Sequence, residues 1–283
     1  MVQPHSPTVR GRRLARELRE LREQAGLRPE DVAQRLGWSR PKVMRIERAL
    51  TKASGHDLNA IMDLYGITSP RRDALLQLAK DAWKRGWWTA YRDVFAGTYL
   101  SLEDEASEIR DWQPQVVPGL LQTPDYAREV VMAFTSDAED VERRVAARMT
   151  RRSILSRPNA PYFHTILDEA ILYRQMGSAE TMRAQFDSLL TDARRPHVNL
   201  QVLPFARGRH PGLNGGFAVL TFEVGIDPDI AYLETPGGDI YLESEDDVRR
   251  RKLAFDDVTQ MALSPDESRA RIGRAAMEIT ADE

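Results

Sequence analysis

Residues 30–48 read EDVAQRLGWSRPKVMRIER, and the punctuation of that stretch decides the fold of the N-terminal part. Pro29 stands just before it, in a first turn where a missing N–H removes no hydrogen bond, and a helix over 29–36 then buries Val32, Ala33 and Leu36. Gly37 breaks that helix. Ser39 reads as the N-cap of the next one, over 40–48, where Pro41 again falls in the first turn. At about 100° per residue, Val43, Ile46 and Leu50 share the buried side of this helix. Pro41, Arg45 and Arg48 lie opposite, with Lys42 and Met44 flanking them and Arg40 at the N-terminal tip. Two short helices joined by a tight glycine turn follow, the second with a cationic outer face.

Outward from this pair the period stays helical. Leu14, Leu18 and Leu21 recur at spacings of four and three in a helix over 10–25 that Gly26 ends. A fourth helix over 57–65 stops at Gly66, and a fifth runs from 70 to about 91, carrying the chain out of the module. The expected organisation is a disordered tail over 1–8, an all-α domain over 9–69, a connecting aromatic-rich helix within 70–100, and a C-terminal domain over 101–283.

The central segment resembles the helix-turn-helix of Cro and the phage repressors, the xenobiotic-response-element family. The match is carried by LREQAGL at 21–27, by Glu30, Ala33, Leu36 and Gly37 in the pattern ExxAxxLG, and by Ile46 and Glu47. The resemblance implies a five-helix, repressor-like domain that binds double-stranded DNA, with base contacts from Arg40, Pro41 and Arg45. A guanidinium at Arg45 suits bidentate pairing with guanine O6 and N7, worth roughly 1–3 kcal/mol of discrimination. Arg28, Ser39, Lys42, Arg48 and Lys52 are the expected phosphate contacts, which position without specifying. The family also implies a structural lock between Glu47 and Arg22 on the first helix. Two positions depart from its pattern: Arg28 replaces the usual polar cap before the second helix, and Ala49 replaces the usual glycine after the third.

Charge agrees with this division. The whole chain carries −3, but residues 1–90 hold 18 Lys+Arg against 10 Asp+Glu, whereas residues 91–283 hold 22 against 33. A basic module fused to an acidic one fits a phosphate-binding part attached to one that need not touch DNA. There are no cysteines among the 283 residues, which excludes disulfides, thiolate metal sites and a cysteine nucleophile. The N-terminal residues have no apolar core of a leader, and no long apolar run follows, so the expectation is a cytoplasmic, nucleoid-associated protein with no membrane contact.

The C-terminal part alternates in type. Stretches 102–111, 123–134 and 141–155 read as helical, with Thr123 as a cap and Pro124 at a first position. Strands are expected over 162–167, 198–203, 217–222, 230–234 and 240–243, the last two joined by the turn TPGGD, and helices over 180–191, 245–261 and 265–279. The fold class is an α+β domain, a small sheet flanked by helices. LEDEASEIRDWQPQVVPGLLQTPDYAREV at 102–130, LDEAILYRQMG at 167–177, GFAVLTF at 216–222 and IAYLET at 230–235 resemble an uncharacterised domain that commonly follows this helix-turn-helix in actinobacterial regulators. That resemblance implies effector or partner sensing, with a small neighbour-encoded protein as the partner of antitoxin-like members.

Trp83, Trp87, Trp88 and Tyr91 share one helical face, suited first to packing between the domains and second to a dimer or ligand surface. The loop PFARGRHPGLNGG carries Arg207, Arg209 and His210; it lacks the ending of a phosphate-binding loop, and a flexible strand connection is the simpler reading. The five histidines form no HxH or HExxH cluster, so no metal or other cofactor is expected. Asp168 and Glu169 read as a helix start before they read as an acid pair, and no catalytic residue can be named. The expected function is sequence-specific transcriptional regulation by a homodimer on a palindromic operator. The alternative is an antitoxin-like protein whose DNA binding is autoregulatory.

Overall fold

A computed structural model describes residues 9–82, 99–223, 228–235 and 238–279. The expected tail over 1–8 and the aromatic face of Trp83, Trp87, Trp88 and Tyr91 lie outside these residues. The chain divides into two units.

The first unit contains helices α1 (Val9–Gln24), α2 (Pro29–Leu36), α3 (Arg40–Glu47), α4 (Gly55–Leu64) and α5 (Arg71–Ala82). Leu14, Leu18 and Leu21 of α1 meet Ile46 of α3, Leu58, Ile61 and Met62 of α4, and Leu75 and Ala79 of α5 in one core. The described part of α5 thus packs as the fifth helix of this domain. A smaller cluster of Val32, Ala33 and Val43, with Trp38 and Tyr65 against it, fixes α2 to α3. Leu50 corrects the expected buried side of α3. It is exposed, because α3 ends at Glu47 and the chain turns through Ala49 at φ +55°.

The second unit is built on a six-stranded sheet of order β3-β2-β1-β4-β5-β6. In chain order its elements are α6 (Tyr99–Glu105), which begins in the first unit, β1 (Glu108–Gln113), α7 (Pro124–Met132), α8 (Ala138–Arg152), β2 (Tyr162–Asp168), α9 (Ala170–Tyr173), α10 (Ala179–Asp192), β3 (Val198–Leu203), β4 (Phe217–Thr221), β5 (Ile230–Leu233), β6 (Ile240–Leu242), α11 (Glu245–Met261) and α12 (Pro265–Glu278). β1, β2 and β3 are parallel, and β4, β5 and β6 continue antiparallel from β1. The β5–β6 hairpin forms where TPGGD predicts it. One face packs Trp112, Ile166, Phe217 and Val219 against Val248, Phe255 and Val258 of α11. The outer edge of β3 is sealed: Leu263 N–H donates to the Val202 carbonyl at 2.8 Å, and Val202 N–H donates to the buried Ser268 Oγ at 2.9 Å.

The expected helix over 102–111 is corrected by β1. The helix stops at Glu105, and Glu108 begins the strand between β2 and β4. Its Arg110 is paired along the strand and across to a helix, Nε donating to Glu108 of β1 at 2.9 Å and Nη1 to Asp256 of α11 at 3.1 Å. Among the described residues no helix is long and apolar enough to cross a membrane.

Candidate nucleic-acid interface

The turn between α2 and α3 rests on Gly37, whose φ of +65° and ψ of 29° put it in the left-handed region. That turn lets Trp38 N–H reach back to the Ala33 carbonyl at 2.8 Å. At the start of α2, Arg28 has no side chain able to accept, and the Asp31 carboxylate takes the Arg28 backbone N–H instead, at 2.8 Å. At the start of α3, Ser39 Oγ accepts the Lys42 N–H at 3.4 Å, leaving its own O–H free to donate.

α3 is clamped from behind. Arg22 of α1 donates to Glu47 through two nitrogens, Nε at 2.7 Å and Nη2 at 3.1 Å, and its Nη1 donates to the Leu27 carbonyl at 2.7 Å. The two side chains are 8% and 7% exposed. The Glu47 carboxylate holds the Arg22 guanidinium above its ordinary range against the opposing effect of burial, and burial with the same carboxylate nearby raises Tyr65. Ala49 takes the left-handed conformation that glycine favours, and Leu50 N–H then closes on the Arg45 carbonyl at 2.8 Å.

With Val43 and Ile46 buried, α3 presents Arg40, Pro41, Arg45 and Arg48 to solvent. Arg45 and Arg48 pair with no carboxylate among the described residues. The other two cations are engaged. Arg40 Nε lies 2.5 Å from Glu30 Oε1 of α2. Lys42 Nζ donates to Asp57 of α4 at 2.6 Å and stands 3.9 Å from the centre of the Trp38 ring. Burial would raise Asp57, but Lys42 and the two Ser54 donors outweigh it and hold the carboxyl below its usual range. Arg28 is exposed with Asp31 at 3.9 Å, and Lys52 is exposed in the turn before α4.

The described residues of the expected C-terminal surface, Arg207, Arg209 and His210, lie in one loop. Arg207 and Arg209 are exposed, whereas His210 packs edge-on against Trp112 with ring centres 5.2 Å apart. The loop that carries them is tied to the sheet, since Trp112 Nε1 donates to the Gly212 carbonyl at 2.9 Å. Asp168 accepts the Ala170 N–H at 2.8 Å, while Glu169 joins Arg271 at 2.7 Å and the Phe205 N–H at 2.8 Å. Among the described residues no group of three His, Asp or Glu could hold a metal ion.

The sequence reading missed Glu30, Asp31 and Asp57. The last two carried a signal, an acidic residue three positions after each helix start, which is the spacing of a capping box. Nothing in spacing alone pairs Glu30 with Arg40.

A family model described as a helix-turn-helix domain matches residues 13–75, and one described as a domain of unknown function (DUF5753) matches residues 96–274. No curated protein and no solved structure matches the chain.

Proposed function

The chain belongs to the DUF5753 family and carries a helix-turn-helix domain ahead of that region, and from this premise we propose that it is a sequence-specific transcriptional regulator that reads duplex DNA with α3. The observation that carries the reading is the outer face of α3. Arg45 and Arg48 are exposed and unengaged there, while Glu47, on the same helix, is locked to Arg22. A helix so clamped holds its rotation when it enters a major groove, and a preorganised guanidinium loses less freedom on pairing with a guanine edge. Ser39 caps α3, and with the exposed Arg28 and Lys52 it is a donor proposed for phosphate oxygens. One short recognition helix reaches few base pairs, so two copies acting on inverted half-sites complete the reading, with the acidic C-terminal unit serving dimerisation and the sensing of an effector or partner.

The test is a salt series of binding to a duplex from the protein's own promoter and to a scrambled duplex of equal length. Wild type prefers the promoter, and both affinities fall steeply with salt. Arg45→Ala loses roughly 1–3 kcal/mol of preference while retaining most of the affinity for scrambled DNA. Equal binding of both duplexes by wild type speaks against the reading.

A further inference from the structure

Four cations lie on or beside the outer face of α3, and the structure engages two of them in different ways. Lys42 is built in. Its carboxylate partner, Asp57, is held by the Ser54 N–H at 3.1 Å and the Ser54 hydroxyl at 2.8 Å, and the Lys42 Nζ lies 3.9 Å from the centre of the Trp38 ring. Arg40 is held only by Glu30, and the two side chains are 62% and 54% exposed. Such a pair stabilises a fold little in water. Its consequence is electrostatic: the N-terminal tip of α3, where a cation would meet the DNA backbone, presents a guanidinium already neutralised.

We propose that Glu30 sets the affinity of the DNA interface, retaining Arg40 in an intramolecular ion pair so that the tip of α3 adds no net charge to the attraction for phosphate. The inference rests on the DNA-binding reading above and goes beyond it, because it removes Arg40 from the expected base readers and leaves discrimination to Arg45. Near DNA the phosphates compete with Glu30 for the guanidinium of the pair. Opening it would leave the Glu30 carboxylate bare in a field of phosphates, and charges a few ångströms apart interact more strongly at a protein surface than in bulk water. Each phosphate that a protein cation neutralises adds about 0.9 to the slope of log affinity against log salt, whatever the sequence. Glu30 therefore acts as a brake on sequence-blind binding.

The experiment is a double-mutant cycle on the full chain, with a fluorescein-labelled duplex pool of random sequence as the probe. Glu30→Gln should tighten binding about fivefold at moderate salt and steepen the salt slope by about one unit. Arg40→Ala alone should weaken binding modestly, because it leaves the Glu30 carboxylate uncompensated, and Glu30→Gln placed on Arg40→Ala should restore that loss without steepening the salt slope. Thermal melts of all three variants check that the fold is retained. A Glu30→Gln variant with unchanged affinity and slope overturns the inference. So does a gain in affinity and slope that is as large without Arg40 as with it, which would mean that Glu30 acts on DNA directly and not through Arg40. Wild type that binds no duplex at any salt overturns the DNA-binding reading and this inference together, whereas wild-type binding with an additive cycle overturns this inference alone.

Discussion

At the scale of single residues, two buried charges define what can be altered. Glu47 faces Arg22 with both side chains nearly enclosed, so Glu47→Ala leaves the guanidinium only the half-exposed Glu23 carboxylate at 3.3 Å and the Leu27 carbonyl. Loss of one partner from such a pair costs about 3–5 kcal/mol, and urea denaturation should show a midpoint lowered to match. A loss below about 1 kcal/mol would mean that the pair does not fix α3. Asp111, on the central strand β1, is 5% exposed, accepts from Gln113 at 2.9 Å, and has the ion pair of Glu103 and Arg151 nearby. Burial, only partly offset by the Gln113 amide and the Arg151 charge, pushes its carboxyl up to about 7 from 3.8. The folded state therefore holds a proton that the unfolded chain has lost between those values. Asp111 contributes its full share of stability below about pH 4 and loses it as pH rises through about 7, a few kcal/mol at most. Asp111→Asn should melt higher than wild type at pH 8 and converge with it near pH 4. A difference that does not change with pH would contradict this account.

At the scale of elements, the sequence announced the helices of the first unit because each carries its own start and stop: Pro29 and Gly37 bound α2, and Ser39 caps α3. β1 announced nothing. Glu108, Ile109 and Arg110 alternate too briefly to mark a strand and Asp111 puts a carboxylate on the buried side, so the flanking strands make the segment extended. The loop over 204–216 was misread in a related way. Its glycines suggest freedom, yet Gly212 is there because Trp112 lies against it, and a Cβ at Gly212 would fall 2.6 Å from the indole. Gly212→Ala should destabilise the protein by about 1–3 kcal/mol through that overlap, measured by thermal unfolding, whereas Gly273→Ala, in α12 with open space at its Cβ position and no positive φ, should not. Equal losses at both positions would leave the Trp112 anchor without support. At the candidate interface, helical phase put Arg45 on the outer side of α3, while the base-contact role of Arg45 and the Arg22–Glu47 pair came from the resemblance to the repressor helix-turn-helix. The engagement of Arg40 and Lys42 was invisible because Glu30 and Asp57 reach them from other helices.

At the scale of the whole molecule, the division of charge and the two family matches describe the same plan, a basic helix-turn-helix domain followed in sequence by an acidic α+β unit. Sequence-specific DNA reading through Arg45 is the claim on which the rest depends. It is tested most directly by selecting bound duplexes from a random pool with wild type and with Arg45→Ala in parallel. The account predicts that wild type enriches two inverted half-sites with centres about 10–10.5 base pairs apart, or a multiple of that, each holding a guanine whose preference flattens in the variant. Enrichment of the same motif with the same guanine preference by both proteins, or no enrichment by wild type, would contradict it.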